Sequence, residues 1–190
     1  MKVKVIYADP AWRFDVWCRD TGLGRSADSH YKTMTLDQIK SLNVRDIANP
    51  EGCALFLWAT LPMLPEALEV MKAWGFEYKT VGFVWVKLNK NWKQWIHDIN
   101  RIFFFGMGYW TRANVEVCLL GTRGKVKRVD AGVRQLVVSP IREHSRKPDE
   151  VRERIVKLIG DVPRLEMFCR YPADGWLVWG NEVQSDVVIQ

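Results

Sequence analysis

The chain has 190 residues, and several things are missing from it. No apolar stretch reaches the roughly 18 residues of a membrane-spanning helix. The N-terminal run Met1–Ala8 is strand-like and no small-residue cleavage site follows it, so no signal peptide is expected. Four cysteines, Cys18, Cys53, Cys118 and Cys169, are scattered and form no C-x-x-C pair. That argues against a disulfide framework or a structural zinc site and predicts a cytoplasmic protein, host cytoplasm if phage-encoded. Cys53 and Cys118 lie in apolar runs and read as small buried hydrophobes. His30, His97 and His144 show no metal spacing, so no metal site is expected. There is no internal repeat and no low-complexity tract. With 48% hydrophobic and 26% charged residues, disorder, collagen and coiled coil are excluded as the main state.

What is present suits one domain over residues 1–190, long enough to bury a core without staples. The net charge is +6, and its distribution is uneven. Residues 87–147 hold 13 lysines and arginines against four acids, a local +9, and the remainder is −3. Such a segment fits a polyanionic partner, with a solvated basic loop region as an equal competitor.

Short apolar runs read as strands: Val3–Ala8, Cys53–Trp58, Val81–Val86, Val115–Leu120, Arg164–Phe168 and Trp176–Trp179. The first, second and fourth are nearly continuous, as in strands covered on both faces. Helices alternate with them. Thr35-Leu-Asp-Gln38 forms a capping box. Pro62–Trp74 places Leu64, Leu68, Met71 and Trp74 on one face, with Gly75 as the stop. Pro148 opens a third helix with Val151, Ile155, Leu158 and Ile159 on its apolar face, ended by Gly160. The alternation predicts an α/β fold, a mostly parallel sheet with helices on both faces. Two basic loop insertions, at about 89–114 and 123–147, interrupt it.

Asp9-Pro10-Ala11-Trp12 follows the first strand directly. Asp9 can accept hydrogen bonds from an amine. Pro10 offers a carbonyl aimed by its fixed φ, and Trp12 a flat face for stacking. Together they could hold an exocyclic amine with its lone pair aimed at an electrophile. Taken alone, the tetrapeptide is better read as a strand-ending turn with a packed Trp.

More of the chain bears on it. The tetrapeptide resembles the D-P-P-W motif of the adenine-specific amino-methyltransferases, which include the catalytic subunit of eukaryotic messenger-RNA adenine methylation and compact bacterial and phage enzymes. Similar segments recur in the family's order: His30–Met34, Leu55–Trp58, Val84–Lys87, Gly108-Tyr109-Trp110, Glu116–Gly121, Ser145–Glu150, Glu166–Arg170 and Trp179–Glu182. The resemblance implies a Rossmann-like methyltransferase fold with permuted motif order, the catalytic strand first and the cofactor strand late. It accounts for the lack of an early glycine-rich cofactor loop.

It also implies roles. Asp9 and the Pro10 carbonyl hold the target amine, with Ala11 completing the motif, and Asp9 also touches the methionine end of S-adenosyl-L-methionine. Trp12 lines the base pocket, with Tyr31. Lys147, Phe168, Arg170, Asn181 and Glu182 match cofactor contacts. Lys147 or Arg170 suits a carboxylate, and Asn181 and Glu182 suit ribose hydroxyls. Lys87, Trp110 and Glu116 match positions near the substrate. Each has a bland counterpart: a solvated lysine, a core phenylalanine, a turn, a salt-bridge partner. Two departures stand out. Ala11 replaces the family's usual proline, and Tyr171-Pro172 replaces a more polar continuation.

The basic loops then have an expected role. Asn91–His97 mixes cations with Trp92 and Trp95, and Lys125, Lys127 and Arg128 form a cationic strip suited to phosphates. A buried helical face and a solvated hairpin are the rival readings. The expected activity is methylation of the exocyclic amine of adenine in DNA, with the base flipped into the pocket. The same reaction on RNA, and a catalytically silent nucleic-acid-binding subunit, stay open at this point. So do a homodimer and a methyltransferase-like partner chain.

Overall fold

The computed structural model describes residues 2–12, 34–93, 98–106, 108, 110–143 and 146–189. Its centre is one seven-stranded sheet: β1 (Val5–Ala8), β2 (Gly52–Ala59), β3 (Glu77–Leu88), β4 (Val115–Gly124), β5 (Leu136–Pro140), β6 (Arg164–Met167) and β7 (Leu177–Trp179). The order is β5-β3-β4-β2-β1-β6-β7. β4 runs antiparallel to β2 and β3, and every other pairing is parallel. This is the α/β, Rossmann-like methyltransferase architecture expected from the sequence.

The near-continuous apolar runs have a direct cause. Along β1 and β2, alternate residues enter two separate cores. Ile6, Ala8, Leu55 and Leu57 face the first core, and Val5, Tyr7, Phe56 and Trp58 face the second. The register pairs Ile6 with Leu55 and Tyr7 with Phe56, so each face matches across the pair. Cys53 and Cys118 are fully buried.

The helices are α1 (Leu36–Ser41), α2 (Leu64–Ala73), α3 (Ile99–Ile102) and α4 (Glu150–Ile159). The capping box of α1 is complete: Gln38 N–H donates to Thr35 Oγ1 at 3.2 Å, and Thr35 N–H to Gln38 Oε1 at 2.9 Å. α2 follows a short 3-10 turn, Leu61–Met63, and ends at Gly75 with φ +81. Its buried face differs from the one expected. Ala67, Val70, Met71 and Trp74 are buried, whereas Leu68 is exposed. α4 buries Val151 and Ile155 against the second core, with Leu158 and Ile159 packed at its edge.

The insertion expected at 123–147 needs correction. Arg123 and Gly124 complete β4, and β5 lies inside the stretch as the edge strand beside β3. Its alternation, Val137 buried between exposed Leu136 and Val138, is short and one-sided. In the 89–114 stretch, Asn89 donates its side-chain amide to the carbonyls of Arg101 and Phe103 at 2.8 and 2.9 Å, tying α3 to the end of β3.

Candidate active site

The chain leaves β1 toward β2 on one side, and later places β6 and β7 on the other. The carboxyl end of β1 is therefore the point where strand order reverses, the usual ligand crevice of an open α/β sheet. Asp9 stands there. The antiparallel β4 contributes its amino end to the same edge, because Trp85 pairs with Glu116 and Ala59 with Val117. A parallel strand in that slot would send Glu116 to the far edge.

Four charged side chains alternate in sign across this edge. Lys147 Nζ donates to Asp9 Oδ2 at 2.7 Å and lies 3.2 Å from Glu116 Oε2. Lys87 Nζ donates to Glu116 Oε1 at 2.5 Å. The Lys147 ammonium lies 5.6 Å from the centre of the Trp58 ring, and that of Lys87 5.0 Å from Trp85. The Lys147 side chain is only 8% exposed, so its charge is viable only between its two carboxylates. Arg142 positions it by donating to the Lys147 carbonyl at 2.6 Å and to Asp149 Oδ2 at 2.5 Å.

The network sets the protonation states. Burial pushes the Asp9 carboxyl above its ordinary value, more than the adjacent Lys147 pulls it down. Burial also pushes Glu116 up, but Lys147 and Lys87 more than offset it and hold Glu116 below the ordinary value. Burial alone would lower Lys147, and Asp9 and Glu116 reverse that and raise it. The edge thus carries one carboxylate held ionised and one whose proton affinity is increased.

Beneath the edge lies a second polar layer. Arg152 forks onto Glu166 with contacts of 2.7 and 2.8 Å, and donates to Asp149 Oδ1 at 2.9 Å and to the Tyr171 carbonyl at 3.0 Å. Tyr7 OH accepts from Trp58 Nε1 at 2.7 Å. Glu166 in an otherwise apolar strand, and the spacing of Asp149 to Arg152, were the sequence signals for this layer. They show only that a partner exists, not which one. A small cavity of about 30 Å³ lies here, bounded by Asp9, Lys147, Glu166, Phe168 and Arg170.

The remaining expected site residues separate into three groups. Phe168 and Arg170 follow β6, next to Asp9, and Asn181 and Glu182 follow β7. Phe168 takes φ +61, rare for a non-glycine residue, and packs edge-on against Trp179 at 5.3 Å between ring centres. Gly180 lies so close to the neighbouring chain that a Cβ would sit 2.5 Å from the Cys169 carbonyl oxygen. These residues, with Lys147 and Lys87, share one edge. Trp110 precedes β4 on that edge and is 92% exposed.

Two sets of expected residues stand apart from the charged network. Trp12 is 5% exposed and packs within the first core, and its indole N–H donates to the Trp58 carbonyl at 3.1 Å. The Pro10 carbonyl accepts the Trp12 backbone N–H at 2.8 Å, which folds the motif back on itself. Lys125, Lys127 and Arg128 do not join the site either. They follow the carboxyl end of antiparallel β4, where Gly124 pairs with Gly52 at the start of β2. That places the strip at the opposite edge of the sheet, about 30 Å away at roughly 3.3 Å per residue. Tyr31, His30, Trp95, Tyr109 and Ser145 lie outside the described residues.

Comparison with known proteins extends this geometry. The MT-A70 family pattern matches residues 3–182. The Type II methyltransferase M.MunI of a Mycoplasma species is 31% identical over 98% of this chain and 80% of its own length. The human N(6)-adenosine-methyltransferase catalytic subunit METTL3 is 28% identical over 97% of this chain and 29% of its own length. An Arabidopsis thaliana N(6)-adenosine-methyltransferase MT-A70-like protein is 29% identical over 95% of this chain, which spans 24% of that relative. An acidic motif at the end of the first strand, a cofactor-type strand late in the chain and a match over nearly its full length lead to one conclusion: the chain belongs to the MT-A70 family of methyltransferases.

Proposed function

We propose that this protein transfers a methyl group from S-adenosyl-L-methionine to the exocyclic amine of adenine in DNA. The observation that carries the reading is Asp9 at the strand switch point, with its proton affinity raised and one oxygen bonded to Lys147. The N(6)-adenosine names of the eukaryotic relatives support the target atom.

The residues at the edge fit the cofactor by their chemistry. Lys147 and Arg170 offer cations for its carboxylate, Asn181 and Glu182 offer acceptors for ribose hydroxyls, and Phe168 offers an apolar wall. Bound there, the cofactor would supply an electrophilic methyl group. The chain's own residues orient the nucleophile. An adenine amine donates one N–H to Asp9 and one to the free lone pair of the Pro10 carbonyl, which favours the tetrahedral nitrogen needed for attack. Lys147 stays between Asp9 Oδ2 and Glu116, and the amine takes the other oxygen of Asp9. As the C–N bond formed and the methyl–sulfur bond broke, with its electron pair staying on sulfur as a thioether, the nitrogen would become cationic and shed a proton to Asp9, the adjacent base. Positioning carries much of the catalysis. The target base leaves its stack to reach this edge. With Trp12 in the core, exposed aromatics such as Trp110 and Phe105 offer faces on this edge for a base to stack on.

Likeness to the Type II methyltransferase M.MunI, 31% identical over 98% of this chain, favours DNA. Likeness to the Mycoplasma enzyme favours a cytoplasmic location. Retention of Asp9 and Pro10 speaks against a silent subunit.

The test is methyl transfer from labelled S-adenosylmethionine to matched DNA and RNA oligonucleotides, single- and double-stranded, with Asp9→Ala as control. Label in DNA adenine that Asp9→Ala abolishes is the expected result. Label only in RNA overturns the substrate. Full activity in Asp9→Ala overturns the site.

A further inference from the structure

The connection from β3 to β4 carries the two most exposed aromatics among the described residues, Trp110 and Phe105, the latter 68% exposed. The base of this connection is tied to the charged network. Phe104 N–H donates to the Lys87 carbonyl at 2.9 Å, and Lys87 N–H donates to the Asn114 carbonyl at 2.8 Å. Both limbs therefore hang on the residue whose ammonium holds Glu116. Further out the limbs touch. A Cβ at Gly106 would collide with the Ala113 carbonyl oxygen, and one at Gly108 with that of Thr111. This close approach sets Arg112 against Phe105, with its guanidinium 5.4 Å from the ring centre.

Arg112 differs from the arginines around α4. Arg142, Arg146, Arg152, Arg154 and Arg164 each pair with an acid. Arg112 is exposed, and among the described residues it meets no carboxylate. Its hydrogen bond to the Gly108 carbonyl is 3.5 Å long, at the weak limit. Stacking fixes the plane of the guanidinium and leaves its N–H edge for an oxyanion. The sequence around it does not neutralise it either: residues 88–114 hold Lys90, Lys93, Arg101 and Arg112 against Asp98 alone.

The pair stands away from Asp9. β4 and β2 lie between β3 and β1, three strand spacings or about 14 Å. A base whose amine meets Asp9 cannot also lie on Phe105, but a neighbouring nucleotide can.

We propose that Phe105 and Arg112 form a second nucleotide subsite, which seats the nucleotide next to the target adenine. Its base stacks on the solvent face of Phe105, and its phosphate takes the N–H edge of Arg112. The inference rests on the nucleic-acid reading above and adds where the strand goes beyond the target base. A stacking face and a phosphate contact carry no sequence information, so the subsite accepts any base.

The test measures binding of labelled single-stranded DNA and RNA carrying a single adenine, and of the same strands with an abasic nucleotide on its 5′ or its 3′ side. Phe105→Ala should bind the intact strand about tenfold more weakly, and Phe105→Trp should restore binding. An abasic nucleotide on one side should cost the wild type a similar factor and cost Phe105→Ala nothing further. Arg112→Gln should lower the slope of log affinity against log salt by about 0.7. S-adenosylmethionine binding by calorimetry should stay at the wild-type value in each variant, which reports an intact fold. Wild-type affinity of Phe105→Ala for the intact strand overturns the subsite and leaves the proposed function standing. So does an abasic loss equal in wild type and Phe105→Ala on both sides. A wild-type dimer in sedimentation that Phe105→Ala dissociates also overturns it, and assigns the loop to a second copy of the chain. A wild-type protein that binds neither strand at any salt overturns the subsite and the nucleic-acid reading together.

Discussion

Glu116 shows how much one buried side chain can organise. It accepts from Lys87 and faces Lys147, and so keeps the lysine that shares Asp9 charged and in place. Its folded-state proton affinity lies below the ordinary value, so its contribution to stability is fully present above about pH 4.5 and is lost as pH falls through the lowered value. Glu116→Gln should therefore cost on the order of 2 kcal/mol at pH 7, because two ammonium groups lose their shared anion. In thermal melts the gap from wild type should close as the buffer is taken below pH 4.5; a gap that stays constant would show that Glu116 acts through packing alone. Asp9 shifts the other way. Since the amine must meet an ionised carboxylate, the acid limb of the rate profile should lie above the ordinary carboxylate range. A limb at or below that range would mean that Asp9 is not the group that titrates.

At the scale of elements, the direction of β4 has the largest consequence. Its antiparallel run brings Glu116 to the edge where Asp9 stands and carries Lys125, Lys127 and Arg128 away from it. The β6–β7 pair is the other decisive element. Beyond the last paired residues, Cys169 N–H donates to the Trp179 carbonyl at 3.0 Å, and Gly180 lies against the Cys169 backbone. This close approach presents Phe168 and Arg170 beside Asn181 and Glu182. Gly180→Ala forces a Cβ to within 2.9 Å of two Cys169 backbone atoms, which cannot yield as a flexible side chain does. We expect a loss of about 1–3 kcal/mol in stability and weaker S-adenosylmethionine binding by calorimetry. Unchanged values in both would show that the backbones separate freely here.

For the whole molecule, the polarity of the sheet decides which basic residues share an edge with Asp9. The charge excess of residues 87–147 is real, but the fold divides it between two edges about 30 Å apart. Neutralising Lys125, Lys127 and Arg128 together should leave methyl transfer to short oligonucleotides, and the salt slope of their binding, at wild-type values. A slope that falls by two or more would bring the far edge into the interface.

The strands and helices were legible because their signals are local. Burial on both faces demands unbroken apolar runs in β1 and β2, and the Thr35–Gln38 capping box and Gly75 mark helix ends within a few residues. Asp9 was legible for the same reason, as a carboxylate placed directly after a strand. The weak, one-sided pattern of β5 hid it within a basic stretch. The sequence by itself therefore determined the elements other than β5 and α3, the family and the acid at the end of β1. Only the tertiary structure decided that Trp12 is core, that Lys147 lies between Asp9 and Glu116, and that the cationic strip faces away. The physical reason is that strand direction and side-chain pairing join residues more than a hundred positions apart, and no local pattern along the chain records which lysine will neutralise which carboxylate.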